Sequence, residues 1–324
     1  MCICFAFAFC GGFFMALLDL DSDVPVHDPV IAKENGVYYC YSTHGQFFSS
    51  SDLRSWKYAG KVFGSLPSWV KDAVPENDGK DFWAPEVVFR GGEWRLYYAV
   101  STFGKNVSAI GMATNATLNP SSPNYEWKDA GIVFASTESD NFNAIDPAVC
   151  ADENGNDWLV FGSFWNGIAI VPLDELGFAK KDCKPVFIAS RQKENEKVPN
   201  PNPVEGGFIF RNGKKFYLFA SHDFCCRGTA SSYHIVFGSS DSVTGPFVDN
   251  DGIDMRYGGG TTWCDSFTYE RWAGPGHNSV FRDDDGKIYL VYHAYDRNEN
   301  GQSKLMIEEI DLPGIFISST CSPL

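Results

Sequence analysis

One pattern recurs five times along this chain, and it constrains the fold more than any other feature. "HDPVIAKENGVYYCYS" begins at residue 27, "APEVVFRGGEWRLYYAVS" at 84, "DPAVCADENGNDWLVFGS" at 146, "EGGFIFRNGKKFYLFAS" at 205 and "GHNSVFRDDDGKIYLVYHA" at 276. Each copy has a polar or small residue, a short apolar strand, a Gly-containing turn, and a second strand rich in Tyr, Phe, Leu and Val. Turns such as "ENG" and "RNGK" are hairpin chemistry, because Gly supplies the positive φ that a tight turn needs. A third and fourth strand follow in several copies, as in "GQFFSSSDLRSWKYAG" and "HIVFGSSDSVTGPFVD". The starts Asp28, Ala84, Asp146, Glu205 and His277 are spaced by roughly 55–70 residues. Repeats of four short antiparallel strands around an axis describe an all-β, five-bladed β-propeller. A β-sandwich with accidental internal similarity is the alternative, and five echoes of one hairpin argue against it. No long window has a helical period, although "PLDELGFAKK" could hold one turn. The first strand of each blade lines the central channel, so Asp28, Asp146, Glu205 and His277 are expected to converge at one mouth.

The rest of the chain is consistent with a large folded body. Of its 324 residues, 44% are apolar, which excludes wholesale disorder. The net charge of −15 comes without any Lys/Arg cluster, so a nucleic-acid partner is not expected, whereas a neutral polysaccharide is compatible. The first 18 residues are apolar and uncharged. They resemble the apolar part of a secretion signal without its basic start, and a buried strand or a gene-model artefact is the blander reading. The expected organisation is a leader-like segment over 1–20, the propeller over 21–313, and a tail of uncertain role over 314–324. A secreted monomer with no membrane span in its body follows as an expectation. None of the ten cysteines shows the paired C-x₂-C spacing of a zinc site, and those inside apolar strands read as small hydrophobes. "NVS" at 106–108 and "NAT" at 115–117 would be glycan acceptors in a secreted eukaryotic protein.

Taken singly, the carboxylates have dull readings: Asp-Pro commonly starts a turn, and Glu205 before two glycines could be a solvated loop residue. Converging carboxylates are another matter. They repel one another, their pKa values separate, and one holds a proton near neutral pH. A protonated acid beside an anionic base is what glycoside hydrolysis requires.

The set "HDPV", "WAPEV", "NAIDPAV", "GSFWNGI", "VEGGFI" and "GPGHNSV…YLVYHAY" resembles glycoside hydrolase family 43 over roughly residues 24–297, with every motif in family order. The resemblance implies a five-bladed propeller and an inverting enzyme, most similar to those that cut internal α-1,5-L-arabinofuranosidic linkages of arabinan in pectin. It implies that Asp28 is the general base, Glu205 the general acid, and Asp146 the residue that raises the acid's pKa and positions it. Inversion requires room for a water, so carboxyls about 6.5–9.5 Å apart are expected for Asp28 and Glu205. The substrate-contacting residues implied are His27, Trp83, Phe103, Asn143, Ile145, Ser163, Phe164 and Trp165, with His27 also a candidate to orient Asp28. His277 is implied to hold a cation through water, calcium being the usual one, with sodium or a water cluster as alternatives. A lone imidazole is an unusual calcium ligand, since calcium prefers oxygen.

Two departures stand out. "EGGF" replaces the "EAPF" of many arabinanases, and the tail lacks the typical "W-D-x-x-G" ending, which leaves open how the propeller closes. Cys225-Cys226 fits the pattern near the acid's blade and suggests no redox chemistry from its setting. An exo-acting α-L-arabinofuranosidase or β-xylosidase on the same scaffold is the rival reading, and a non-catalytic carbohydrate-binding propeller is the rival of a different class.

Overall fold

A computed structural model describes residues 15–77, 79, 81–192 and 201–312. Twenty strands form five four-stranded antiparallel sheets, which are the expected five blades. Blade one runs β2 (Val30–Glu34), β3 (Val37–Tyr41), β4 (Gln46–Ser50), β5 (Lys57–Lys61); blade two runs β6 (Trp83–Arg90), β7 (Glu93–Val100), β8 (Ser108–Asn115), β9 (Lys128–Ser136). Blade three comprises β10 (Ala148–Ala151), β11 (Asp157–Phe161), β12 (Ile168–Pro172) and β13 (Val186–Ala189), and blade four β14 (Val204–Asn212), β15 (Lys215–His222), β16 (His234–Ser240) and β17 (Thr261–Cys264). Blade five takes β18 (Trp272–Arg282), β19 (Ile288–Asp296) and β20 (Gln302–Ile310) from the end of the chain and its outer strand, β1 (Met15–Leu17), from the beginning.

That pairing answers how the ring closes. Met15 faces Ile310 and Leu17 faces Glu308 across an antiparallel ladder. Part of the stretch expected as a leader is therefore strand. Unpaired β20 would expose a row of backbone donors and acceptors, and β1 covers it while Leu17 packs on the core. Residues 1–14, and the tail over 314–324, lie outside the described residues.

Local chemistry explains the hairpins. Glu34 pairs with Val37 across a two-residue turn in which Asn35 and Gly36 have φ of 50° and 79°, both positive as a type I′ turn demands. "PLDELGFAKK" forms turns, and a short helix, α1, instead occupies Val70–Ala73. Among the described residues no helix is long and apolar enough to cross a membrane.

The core lies between neighbouring sheets. Tyr41, Phe47, Leu96 and Tyr98 fill the gap between blades one and two, and Phe219, Trp263, Tyr292 and Met306 pack at the junction of blades four and five. Buried carboxylates stitch these gaps where donors satisfy them. Glu308 accepts from Trp263 Nε1, Tyr269 Oη and Tyr292 Oη at 3.1, 2.7 and 2.6 Å. A buried charge without such partners would be costly. The asparagines of both sequons have structural roles, which corrects the glycan expectation. Asn106 donates its amide to the carbonyls of Thr137, Asp140 and Phe142, and buried Asn115 accepts from the amides of Thr117 and Glu126.

Each inner strand follows or contains a shared backbone device. Asp28, Ala84, Asp146, Gly206 and His277 have φ of 55°, 44°, 57°, 62° and 49°. In blades two, four and five the pairing register shifts across this point, so it is a bulge that re-aims a side chain. The equivalent position in blade four is therefore Gly206. Glu205 stands one residue earlier, at the place held elsewhere by His27, Trp83, Ile145 and Gly276. The repeat read from carboxylates alone was off by one in this blade.

Candidate active site

Four of the five left-handed positions, Asp28, Asp146, Gly206 and His277, line one space in the channel together with Glu86 and Asn278. Asp28 is buried, yet every side of its carboxylate has a donor. His27 Nδ1 lies 2.8 Å and His277 Nδ1 3.1 Å from Oδ1, and Thr43 Oγ1 donates to Oδ2 at 2.5 Å. The Asp28 amide donates to His293 Nδ1 at 3.2 Å, and the His293 ring stacks on His27 with centroids 3.7 Å apart. Burial alone would raise the Asp28 pKa. The charges of His27 and His277, with the His27 hydrogen bond, outweigh it and hold the carboxyl well below its usual range. His27 responds reciprocally: burial works against its charged form, but Asp28 raises it overall. His293 is pushed well below the usual imidazole range, first by burial and then by His27, which fits a neutral ring accepting at Nδ1.

Across the mouth the balance reverses. Asp146 is also buried, and burial followed by the charges of Glu205 and Asp28 pushes it well above the carboxylate range. Its Oδ2 accepts the Gly206 amide at 3.2 Å, so it braces the strand start that carries Glu205. Glu205 itself is half-buried, and Ser163 Oγ donates to its Oε2 at 2.7 Å. Asp146 is thus itself strongly lifted, chiefly by burial and then by the Glu205 charge beside it.

The expected aromatic surface divides. Phe103 is 81% exposed on the β7–β8 loop of the same face, and Trp83, Phe164 and Trp165 are half-buried. The β11–β12 loop is pinned by Asn202 Nδ2 to the Trp165 carbonyl at 2.9 Å and by Phe164 N–H to the Val204 carbonyl at 2.9 Å. Asn143 and Ile145 are buried beneath this surface. Asn143 Oδ1 accepts from Ser108 Oγ at 2.6 Å, and the Ile145 carbonyl accepts from the Gly162 amide at 2.9 Å, so both fix the loops under the carboxylates.

His27, Asp28 and His293 offer ligand atoms mutually within 4.8 Å, but the Nδ1 atoms of both histidines already serve Asp28. His277 uses its Nδ1 on Asp28 as well. Beside it in the channel, buried Asn278 has no partner on either amide atom, and burial lifts the Glu86 carboxyl to about 8. Sequence reasoning missed Thr43, His293 and Tyr295, whose hydroxyl lies 2.9 Å from His27 Nε2. They come from the far ends of second strands or the loops after them, where no repeat rule marks a functional position.

A five-bladed propeller that holds one carboxyl pKa down and its neighbour's up at one mouth offers the acid–base asymmetry of a glycoside hydrolase. The comparisons narrow this: residues 23–313 match Glycosyl hydrolases family 43, and the chain belongs to that family. It is 43% identical over 298 residues to an extracellular exo-α-(1→5)-L-arabinofuranosidase of Cellvibrio japonicus, covering 90% of this chain and 85% of that one. It is 39% identical over 296 residues to an extracellular endo-α-(1→5)-L-arabinanase of Bacillus subtilis, with 88% and 85% covered. The structure superposes on a Cellvibrio cellulosa α-L-arabinanase complexed with arabinohexaose at a TM-score of 0.82 and 40% identity, covering 90% of this chain and 96% of that one.

Proposed function

We propose that this protein hydrolyses internal α-1,5-L-arabinofuranosidic linkages of arabinan with inversion, working outside the cell. One observation carries the chemistry: Asp28 and Asp146 occupy equivalent positions with pKa values pushed in opposite directions, and Glu205 is set one residue before the position equivalent to both. In the proposed reaction Asp28 accepts a proton from water, whose oxygen attacks the anomeric carbon. Glu205 gives its proton to the departing glycosidic oxygen, and Ser163 orients it. Asp146 accepts the Gly206 amide and so braces the backbone that carries Glu205. A gap of about 6.5–9.5 Å between the Asp28 and Glu205 carboxyls would admit the water. Trp83, Phe103, Phe164 and Trp165 offer ring faces to sugar C–H surfaces. The extracellular relatives support the location.

The channel's donor set fits a hydrated cation, calcium or sodium. Asn278 Oδ1 is an orphaned buried acceptor, and Glu86 and His277 line the same space. Such an ion would supply positive charge beneath the carboxylates. The Cellvibrio relative's name favours a second, exo-acting reading of the same site. Hydrolysis of linear 1,5-arabinan, with products sized and the first anomer followed by NMR, separates them. Mixed oligosaccharides that mutarotate from the inverted anomer support endo action with inversion. A single short product from the outset supports exo action, and no hydrolysis overturns both.

A further inference from the structure

A disulfide joins the adjacent residues Cys225 and Cys226 in the β15–β16 loop on the active face. Cys226 is exposed and has a φ of 64°, a conformation that non-glycine residues rarely adopt. The ring closed by the disulfide contains the peptide between the two cysteines, so it fixes the direction of the Cys226 amide. That amide donates to Tyr295 Oη at 2.8 Å. Tyr295 Oη is 2.9 Å from His27 Nε2, and His27 Nδ1 is 2.8 Å from Asp28 Oδ1. The Cys226 sulfur also lies 3.9 Å from His27 Nε2.

The donors in this chain can be assigned. Ionised Asp28 only accepts, so His27 must donate from Nδ1. In its neutral form His27 accepts at Nε2, and Tyr295 then donates to it. The Tyr295 oxygen, with its proton committed, accepts from Cys226. Every proton points toward Asp28, and the chain begins at the disulfide. Tyr295 is buried.

We propose that the Cys225–Cys226 disulfide and Tyr295 are positioning residues for Asp28: the disulfide aims the Cys226 amide at Tyr295, which fixes the tautomer and orientation of His27. The inference rests on the reading of Asp28 as the base. Opening the disulfide with a dithiol reductant transfers two electrons and two protons, giving two cysteine thiols and the oxidised reagent. The amide is then released from its fixed direction, and His27 is free to turn.

The test uses the full chain on linear arabinan, oxidised, reduced with dithiothreitol, and reoxidised, with the thiol state followed by mass spectrometry. Reduction should lower kcat roughly tenfold or more, in keeping with the cost of misplacing a catalytic group, while leaving KM and Tm nearly constant, and reoxidation should restore it. Tyr295→Phe should show the reduced-state kcat and no further response to reductant, and the ¹⁵N shifts of His27 should change on reduction. An unchanged kcat after verified reduction overturns the proposal, as does a loss that tracks a fall in Tm, or a Tyr295→Phe variant that remains reductant-sensitive. If the oxidised wild-type protein leaves arabinan intact, it is the reading of the site that fails, and the ¹⁵N shifts alone then judge the relay.

Discussion

Asp28 and Asp146 are as alike as two residues of one chain can be. Both are buried, both have a left-handed backbone, and both precede a proline at the start of an inner strand. One is pushed far down in pKa and the other far up. Around Asp28 stand His27, His277, His293 and the Thr43 hydroxyl; around Asp146 stand Glu205, Asp28 and one backbone amide. Position within the blade therefore aims a carboxylate, and its neighbours decide whether it accepts or keeps a proton.

Removing the accepting side should have the largest effect. Asp28→Asn keeps the shape and removes the proposed base, and kcat on linear arabinan is expected to fall about 10³-fold, within the span of general acid–base effects. A fall of less than tenfold would assign the base elsewhere. Asp146→Asn removes the opposite partner, and kcat should fall roughly 10²-fold. Its stability effect has a definite sign. A carboxyl whose folded pKa is raised contributes stability that is present at low pH and lost as pH rises through the folded value. The variant should therefore gain about 2–4 °C in Tm relative to wild type at pH 7 and less at pH 4, measured by differential scanning calorimetry. A constant difference in Tm across that range would show that Asp146 does not titrate as described.

Smaller changes sharpen the contrast. Thr43→Val deletes a donor to Asp28, so the Asp28 pKa should rise and the acid limb of the kcat/KM profile should move to higher pH. The opposite movement would mean that the hydroxyl does not stabilise the anion. Ser163→Ala removes one hydrogen bond from Glu205, and a loss of roughly five- to tenfold in kcat is expected, consistent with about 1 kcal/mol. No change would assign the hydroxyl a purely structural role.

The blades were legible because each hairpin carries its own turn and alternation, which are local properties. The displacement of Glu205 by one residue was not, since aligning acid with acid ignores backbone conformation. Only a left-handed residue fits the start of the strand, and there Gly206 follows Glu205. Closure by Met15–Leu17 was hidden because three apolar residues gain a partner only from the opposite end of the chain. Asp28, Asp146, Glu205, His27 and His277 could be read from short motifs around the strand starts. Thr43, His293 and Tyr295 could not, because their roles arise from contacts spanning 15, 265 and 268 residues.

The five strand starts also separate address from message. The backbone sets where each side chain arrives, and it does so with aspartate, alanine, glycine or histidine in place. Exchange of the residue there changes the reagent delivered to the mouth without redrawing the scaffold. Ala84 and Gly206 are ports that deliver none, and the Ala84 amide is anchored by the same hydroxyl of Thr43 that serves Asp28.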